Sequence, residues 1–228
     1  MKKIALITIP LVLALLAVSS YLALVVAPTE RTMGDVQRIF YYHVPSAWVG
    51  FLCFFINFVA SIWYLWKRSP ASDALAAASA EVGVVFCAVL LIEGTLWARP
   101  VWGIWWTWDA RLTTTLVLWL IYVSYLVLRR FSAGQTQVMA AVLAVFAFAD
   151  VPIVYMSIRW FRTQHPSPVM GGGENSGLDP AMLHVFLINL ALFTVLGILF
   201  IWLRYKLQVA EEALESAHAQ AALKGVAR

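Results

Sequence analysis

Six long apolar runs separated by short polar segments organise the chain, at about 4–27, 47–66, 75–96, 112–128, 137–158 and 181–203. An α-helix needs about 20 mostly apolar residues to cross a hydrocarbon core. Five runs meet that length, and the fourth, the shortest, can borrow from the tryptophan-rich stretch ahead of it. The pattern predicts an all-α integral membrane protein with six transmembrane helices.

The polar ends of the runs set an orientation. Lys2 and Lys3 precede the first run, Lys67 and Arg68 follow the second, Arg129 and Arg130 the fourth, and Arg204 and Lys206 the sixth. Basic residues flanking spans mark the cytoplasmic side. These four pairs share one side, so the N- and C-termini are expected in the cytoplasm. The opposite side carries three longer segments, 28–46, 97–111 and 159–180. In a bacterial inner membrane that face is the periplasm.

Composition agrees with the pattern. Of 228 residues, 62% are hydrophobic and 12% charged, and the mean hydropathy is +0.81. A soluble domain is about 45–50% apolar and about 25% charged. The net charge of +4 gives no case for nucleic acid, because the basic residues sit in pairs at helix ends. The first run exceeds the roughly 7–15 residues of a signal-peptide core, and Pro28 after Ala27 suits no cleavage site. It reads as a retained span. Cys53 and Cys87 lie inside apolar runs, form no CxxC pair and read as packing residues. The polar tail, 205–228, is rich in Ala, Glu and Lys and suits a short cytoplasmic helix. The chain therefore divides into a six-span membrane domain, 1–204, and that tail.

The chain lacks a phosphate-binding GxxxxGK[ST] loop, an HExxH pair, a nucleophile elbow and Cys/His zinc spacing. The run Gly171, Gly172 and Gly173 has no following Lys. Nothing here reads as a self-contained hydrolase. What stands out is the segment 97–113, between the third and fourth runs. Trp102, Trp105, Trp106 and Trp108 fall within seven residues, joined by Gly103 and closed by Asp109. Read as a helix, this stretch would present the indoles on two adjoining faces. An aromatic belt at the membrane interface explains some of this. A flat apolar binding surface explains the crowding, the acid and the flanking Arg99 and Arg111. Asp109 also fits the N-cap of the fourth span.

His43 precedes or opens the second span, and His165 follows the fifth. Both lie on the side of the tryptophans. Two imidazoles, an apolar wall and nearby cations together are what an iron porphyrin requires: axial nitrogens, a face to lie on and partners for its propionates. Arg38, Arg99, Arg111 and Arg159 are candidates for the propionates, with Arg31 and Arg162 on the same side. His184, about a turn into the sixth span, is the weaker ligand candidate. His218 lies in the tail.

The octapeptide Trp102-Gly103-Ile104-Trp105-Trp106-Thr107-Trp108-Asp109 resembles the WGxxWxWD signature of the WWD-domain heme-handling proteins of cytochrome c biogenesis. The six spans and the continuation Ala110-Arg111-Leu112-Thr113 resemble the CcmC, or heme exporter protein C, family. The resemblance covers nearly the whole chain except the tail. It implies that His43, in its Tyr-x-His-Val-Pro context, and His165, five residues after Trp160, are the axial ligands of a b-type heme held as cargo. It implies a non-enzymatic role at the periplasmic face of the inner membrane, where heme is delivered to a membrane-anchored chaperone, CcmE. It also implies partners in an ABC-type complex: the ATPase CcmA and the membrane subunits CcmB and CcmD.

Two other classes stand beside this one. A redox subunit would hold its heme on histidines deep within spans. A channel or transporter exporting heme would show broken helices and charge near the midplane. Asp150-Val151-Pro152 is the one feature of that second kind. Glu81, Glu93 and Asp150 lie inside spans, where charge is costly. They read either as helix-to-helix hydrogen-bonding groups or, for Glu93 and Asp150, as the floor of an outer pocket.

Overall fold

The computed structural model describes residues 2–131, 136–166, 168 and 177–226; Gly171, Gly172 and Gly173 lie outside them. Seven α-helices are present among these residues: α1 Lys2–Tyr21, α2 Phe40–Lys67, α3 Pro70–Trp102, α4 Ala110–Phe131, α5 Thr136–Ala147, α6 Asp150–Trp160 and α7 Pro180–Val226. A π-turn (Leu22–Val26) extends α1, and a 3-10 turn (Asp35–Ile39) leads into α2. With α5 and α6 taken as one broken span, six helices are long and apolar enough to cross a membrane.

The ends of these helices follow from local chemistry. Pro70 opens α3 at its first turn, where a missing N–H costs nothing. Gly103 closes α3 in the left-handed region, at φ +80°, and its N–H donates to the Arg99 carbonyl at 3.0 Å. In the first turn of α6, Pro152 has no N–H to offer the Phe148 carbonyl. That carbonyl accepts instead from Val151 at 3.1 Å, and the helix breaks at Phe148 and Ala149.

The third span is longer than the expected 75–96. It takes in Asp73 at one end and Arg99 and Pro100 at the other. Asp73 is tolerated because Arg129 of α4 grips both its oxygens, at 2.6 and 2.8 Å. The tail also differs from expectation. It is no separate short helix but the end of α7, which has 47 residues. At 1.5 Å per residue that is about 70 Å, more than twice a hydrocarbon core of about 30 Å. No Gly or Pro interrupts 198–224, and Gln208 bonds Glu212 one turn on, at 2.9 Å.

The hairpin α2–α3 is the centre. α7 packs on both helices, α5 on α2, α4 on α3, and α6 along α4, with α1 at the periphery against α7. Residues 43, 50 and 54 of α2 meet residues 94, 87 and 83 of α3, one antiparallel register with steps of seven and four. Small residues let the backbones approach: a Cβ on Gly83 would lie 2.6 Å from the Phe54 ring and 3.0 Å from the Cys53 Cβ. Cys53 and Cys87 are buried in this core. Asn57 donates to the Ala76 carbonyl at 2.8 Å, and Phe54 stacks on Tyr122 of α4 at 3.7 Å. α7 approaches α2 in the same way, with Gly197 against Val49.

Two ends of the bundle are thereby defined. At one, Arg129 pairs with Asp73, and Arg204 of α7 pairs with Glu81 of α3. Glu81 is thus a helix-to-helix partner. At the other lie the tryptophans and His43. Replacing Gly83 or Gly197 by Ala should overpack these contacts and cost about 1–3 kcal/mol. Gly50→Ala, whose added carbon would have 3.7 Å of room, should not lower stability. Thermal unfolding of the detergent-solubilised variants checks this ranking.

Candidate functional site

Of the two placements expected, His43 takes the one that opens the second helix: it sits in the first turn and is partly buried. Its ring lies against the backbone of α3. A Cβ on Gly94 would come within 3.2 Å of the His43 Cε1, so any larger residue there would press on the imidazole. The His43 Nδ1 is buried without a hydrogen-bond partner among the described residues. Glu93, the residue before Gly94 on α3, also buries an oxygen without a hydrogen-bond partner among the described residues. Asp150 opens α6 in its first turn and likewise buries an oxygen without a partner among the described residues.

His165 lies in the non-helical segment after α6 and is also partly buried. Its Nδ1 sits 2.9 Å from the Pro166 carbonyl. A carbonyl only accepts, so Nδ1 carries the proton and Nε2 keeps its lone pair. This hydrogen bond on the far nitrogen is what fixes the tautomer of a metal-binding histidine. Burial first, and the Arg111 guanidinium second, push the His165 pKa below its ordinary value; the Pro166 carbonyl and Asp109 pull weakly the other way. The structure brings the two histidines together. Their ring centroids are 6.4 Å apart and their planes 33° from parallel.

The tryptophan stretch is not a helix throughout. Trp102 is the last residue of α3, and 103–109 are irregular. The left-handed Gly103 turns the chain out of the helix, so the indoles do not fall on two helix faces. Nor do they form one flat plate. Trp97 and Trp102 meet edge to face at 5.2 Å, and Trp106 and Trp108 at 5.6 Å, the arrangement that ring quadrupoles favour. Trp108 is 75% exposed and Trp105 57%. Trp106 turns inward, with its Nε1 buried and without a partner among the described residues, as are the hydroxyls of Thr107 and Thr113.

Asp109 caps α4, its Oδ1 accepting the Leu112 N–H at 2.9 Å. The four arginines are placed unequally. Arg38 is engaged with the end of α1: it donates to the carbonyls of Ala23 and Ala27 at 2.9 and 3.0 Å, to Thr29 at 3.1 Å and to Asp35 at 2.9 Å. That leaves it little to offer a ligand. Arg111 donates to the Val154 carbonyl and acts on His165 by charge. Arg99 donates to the Gly103 carbonyl and lies over Trp105, and Arg159 lies over Tyr155 at 4.8 Å. His184 is exposed on α7.

A sequence model of the family described as heme exporter protein C matches residues 1–220. The chain belongs to the heme exporter protein C family. It is 36% identical to heme exporter protein C of Bradyrhizobium diazoefficiens, over 80% of this chain and 70% of that one. It is 35% identical to heme exporter protein C of Escherichia coli, over 68% and 63%. It is 31% identical to heme exporter protein C of Haemophilus influenzae, over 89% and 83%.

Sequence reasoning missed Gly94 and Thr163, whose hydroxyl donates to Asp109 at 2.9 Å and accepts the His165 N–H at 3.1 Å. An isolated Gly inside a helical run signals close packing, and a Thr two residues before a His signals a hydroxyl-to-backbone turn. Both signals are present. The lowered pKa gives a pH test. His165 should stay neutral below the roughly 6.5 of a free imidazole and take up its proton only at lower pH. Titration of ring-labelled histidine by NMR should show this, and Arg111→Gln should move the midpoint upward.

Proposed function

We propose that this chain holds heme as cargo between His43 and His165, on the periplasmic face of the bacterial inner membrane. From there it delivers the heme to the chaperone CcmE during cytochrome c maturation, as part of a complex with CcmA, CcmB and CcmD. One observation carries the reading. Imidazole nitrogens sit ~2.0–2.1 Å from a bound metal, so two rings sharing one metal have centroids roughly 6 Å apart. The rings of His43 and His165 lie 6.4 Å apart.

The chemistry of the surrounding residues suits this cargo. The Nδ1–H of His165 is occupied by the Pro166 carbonyl, which leaves Nε2 for iron. The exposed Trp105 and Trp108 offer apolar wall to a porphyrin. Arg99, Arg111 and Arg159 supply cations for its propionates. Both histidines lie at the end of the bundle, not at mid-membrane. That favours cargo open to a partner over the permanent electron carrier of a redox subunit. The protein itself breaks no bond. Its residues bind, orient and expose the heme.

Purified protein should give the spectrum of six-coordinate low-spin heme. His43→Ala and His165→Ala should each shift the Soret band and lower retained heme, while His184→Ala should do neither. A wild-type spectrum in His165→Ala together with loss in His184→Ala would reverse the choice of ligand. The orientation has its own check. Cys53 and Cys87 are buried, so a cysteine placed at Ile104 should dominate labelling by a membrane-impermeant thiol reagent on intact spheroplasts. Labelling only after the membrane is opened would put the site on the wrong side.

A further inference from the structure

Asp109 ends the tryptophan run, and its two oxygens have different work. Oδ1 caps α4. Oδ2 accepts the hydroxyl proton of Thr163 at 2.9 Å, from a residue 54 positions along the chain. A carboxylate cannot donate, so the Thr163 proton points to Asp109 and its lone pairs face away. One of them accepts the His165 N–H at 3.1 Å. The result is a continuous path from the tryptophan segment, through one hydroxyl, to the backbone of His165. Arg111 ties the same turn of α4 to α6 at Val154, just ahead of that segment.

We infer that Asp109 and Thr163 form a clasp that positions His165, so that the acid of the tryptophan motif acts on heme through the ligand loop. This rests on the reading of His165 as a ligand. A helix cap alone needs one oxygen, and Ser or Asn caps as well as Asp. What Asp adds is the second oxygen, and that is the one bonded to Thr163. His43 needs no such device, since it is seated on the rigid α2–α3 seam against Gly94. His165 follows the last helical bond of α6, Phe161 N–H to the Ser157 carbonyl, and its backbone is held by the clasp. Both members are positioning residues, and neither need touch the heme.

The test uses the full-length protein in detergent, titrated with hemin and read by absorption and electron paramagnetic resonance. Thr163→Val keeps the shape of Thr and loses the hydroxyl. Asp109→Ser keeps a capping oxygen and loses the reach to Thr163. Both should fold and reach normal membrane levels. Both should convert low-spin heme to a five-coordinate high-spin form and weaken hemin binding by about tenfold, as loss of a ligand's supporting hydrogen bond does. Thr163→Ser should keep the low-spin signal. Added imidazole should restore it in Thr163→Val, because the pocket is intact and one nitrogen is misplaced. A low-spin Thr163→Val beside a high-spin His165→Ala would overturn the clasp and leave the ligands standing. Failure of imidazole to restore the signal would overturn it too, by showing a collapsed pocket. A His165→Ala variant with the wild-type spectrum would overturn the ligand reading and the clasp together.

Discussion

The close approach of α2 and α3 governs the rest of this structure. Lipid offers no hydrophobic drive for helices to associate, so contact depends on small residues and on polar groups that find partners. Gly83 gives the Phe54 ring a place that any side chain would fill, and Asn57 secures the neighbouring turn by its bond to Ala76. The same register continues to Gly50 against Cys87 and ends at Gly94 against His43. The position of one candidate ligand is therefore the last contact of the seam that builds the fold. A change at Gly83 would be felt at His43, several helical turns away, because packed helices shift as rods.

The second candidate ligand is held on a different principle. His165 lies on a loop, where backbone order must come from specific hydrogen bonds rather than from packing. Asp109 and Thr163 supply them, and Arg111 anchors the adjoining helix. One imidazole is thus rigid by packing and the other adjustable by three polar contacts. Under the proposed function, in which a cargo is held and released, that asymmetry would let the loop ligand leave without disturbing the helices.

Charge is distributed to match. At the end opposite the histidines, Arg129–Asp73 and Arg204–Glu81 pair across helices, so ions inside the spans are neutralised by partners. At the histidine end, the buried Nδ1 of His43, the Glu93 carboxyl oxygen and the Nε1 of Trp106 lack partners among the described residues. Unpaired polar groups are costly to bury, and they also occur away from the histidines, at Asn57 Oδ1, Ser61 and the hydroxyls of Tyr122 and Tyr125.

Much of this was legible in the chain. Apolar length and periodicity reveal spans because the bilayer imposes one thickness on every helix. Six apolar helices, the break near Pro152 and the cap at Asp109 follow from residues within a turn or two of each other. The tryptophan motif identified the family for the same reason. Other features depend on partners distant in sequence. His43 lies against Gly94 because α2 packs on α3. Asp73 enters α3 because Arg129 reaches it from α4. The indoles stand edge to face because the chain leaves α3 at Gly103. Arg38 serves the end of α1, and Thr163 joins Asp109 to His165. Composition and spacing placed both histidines on one side of a membrane. Only the folded chain sets their rings 6.4 Å apart, because that distance depends on a helix seam and a loop clasp that no local pattern encodes.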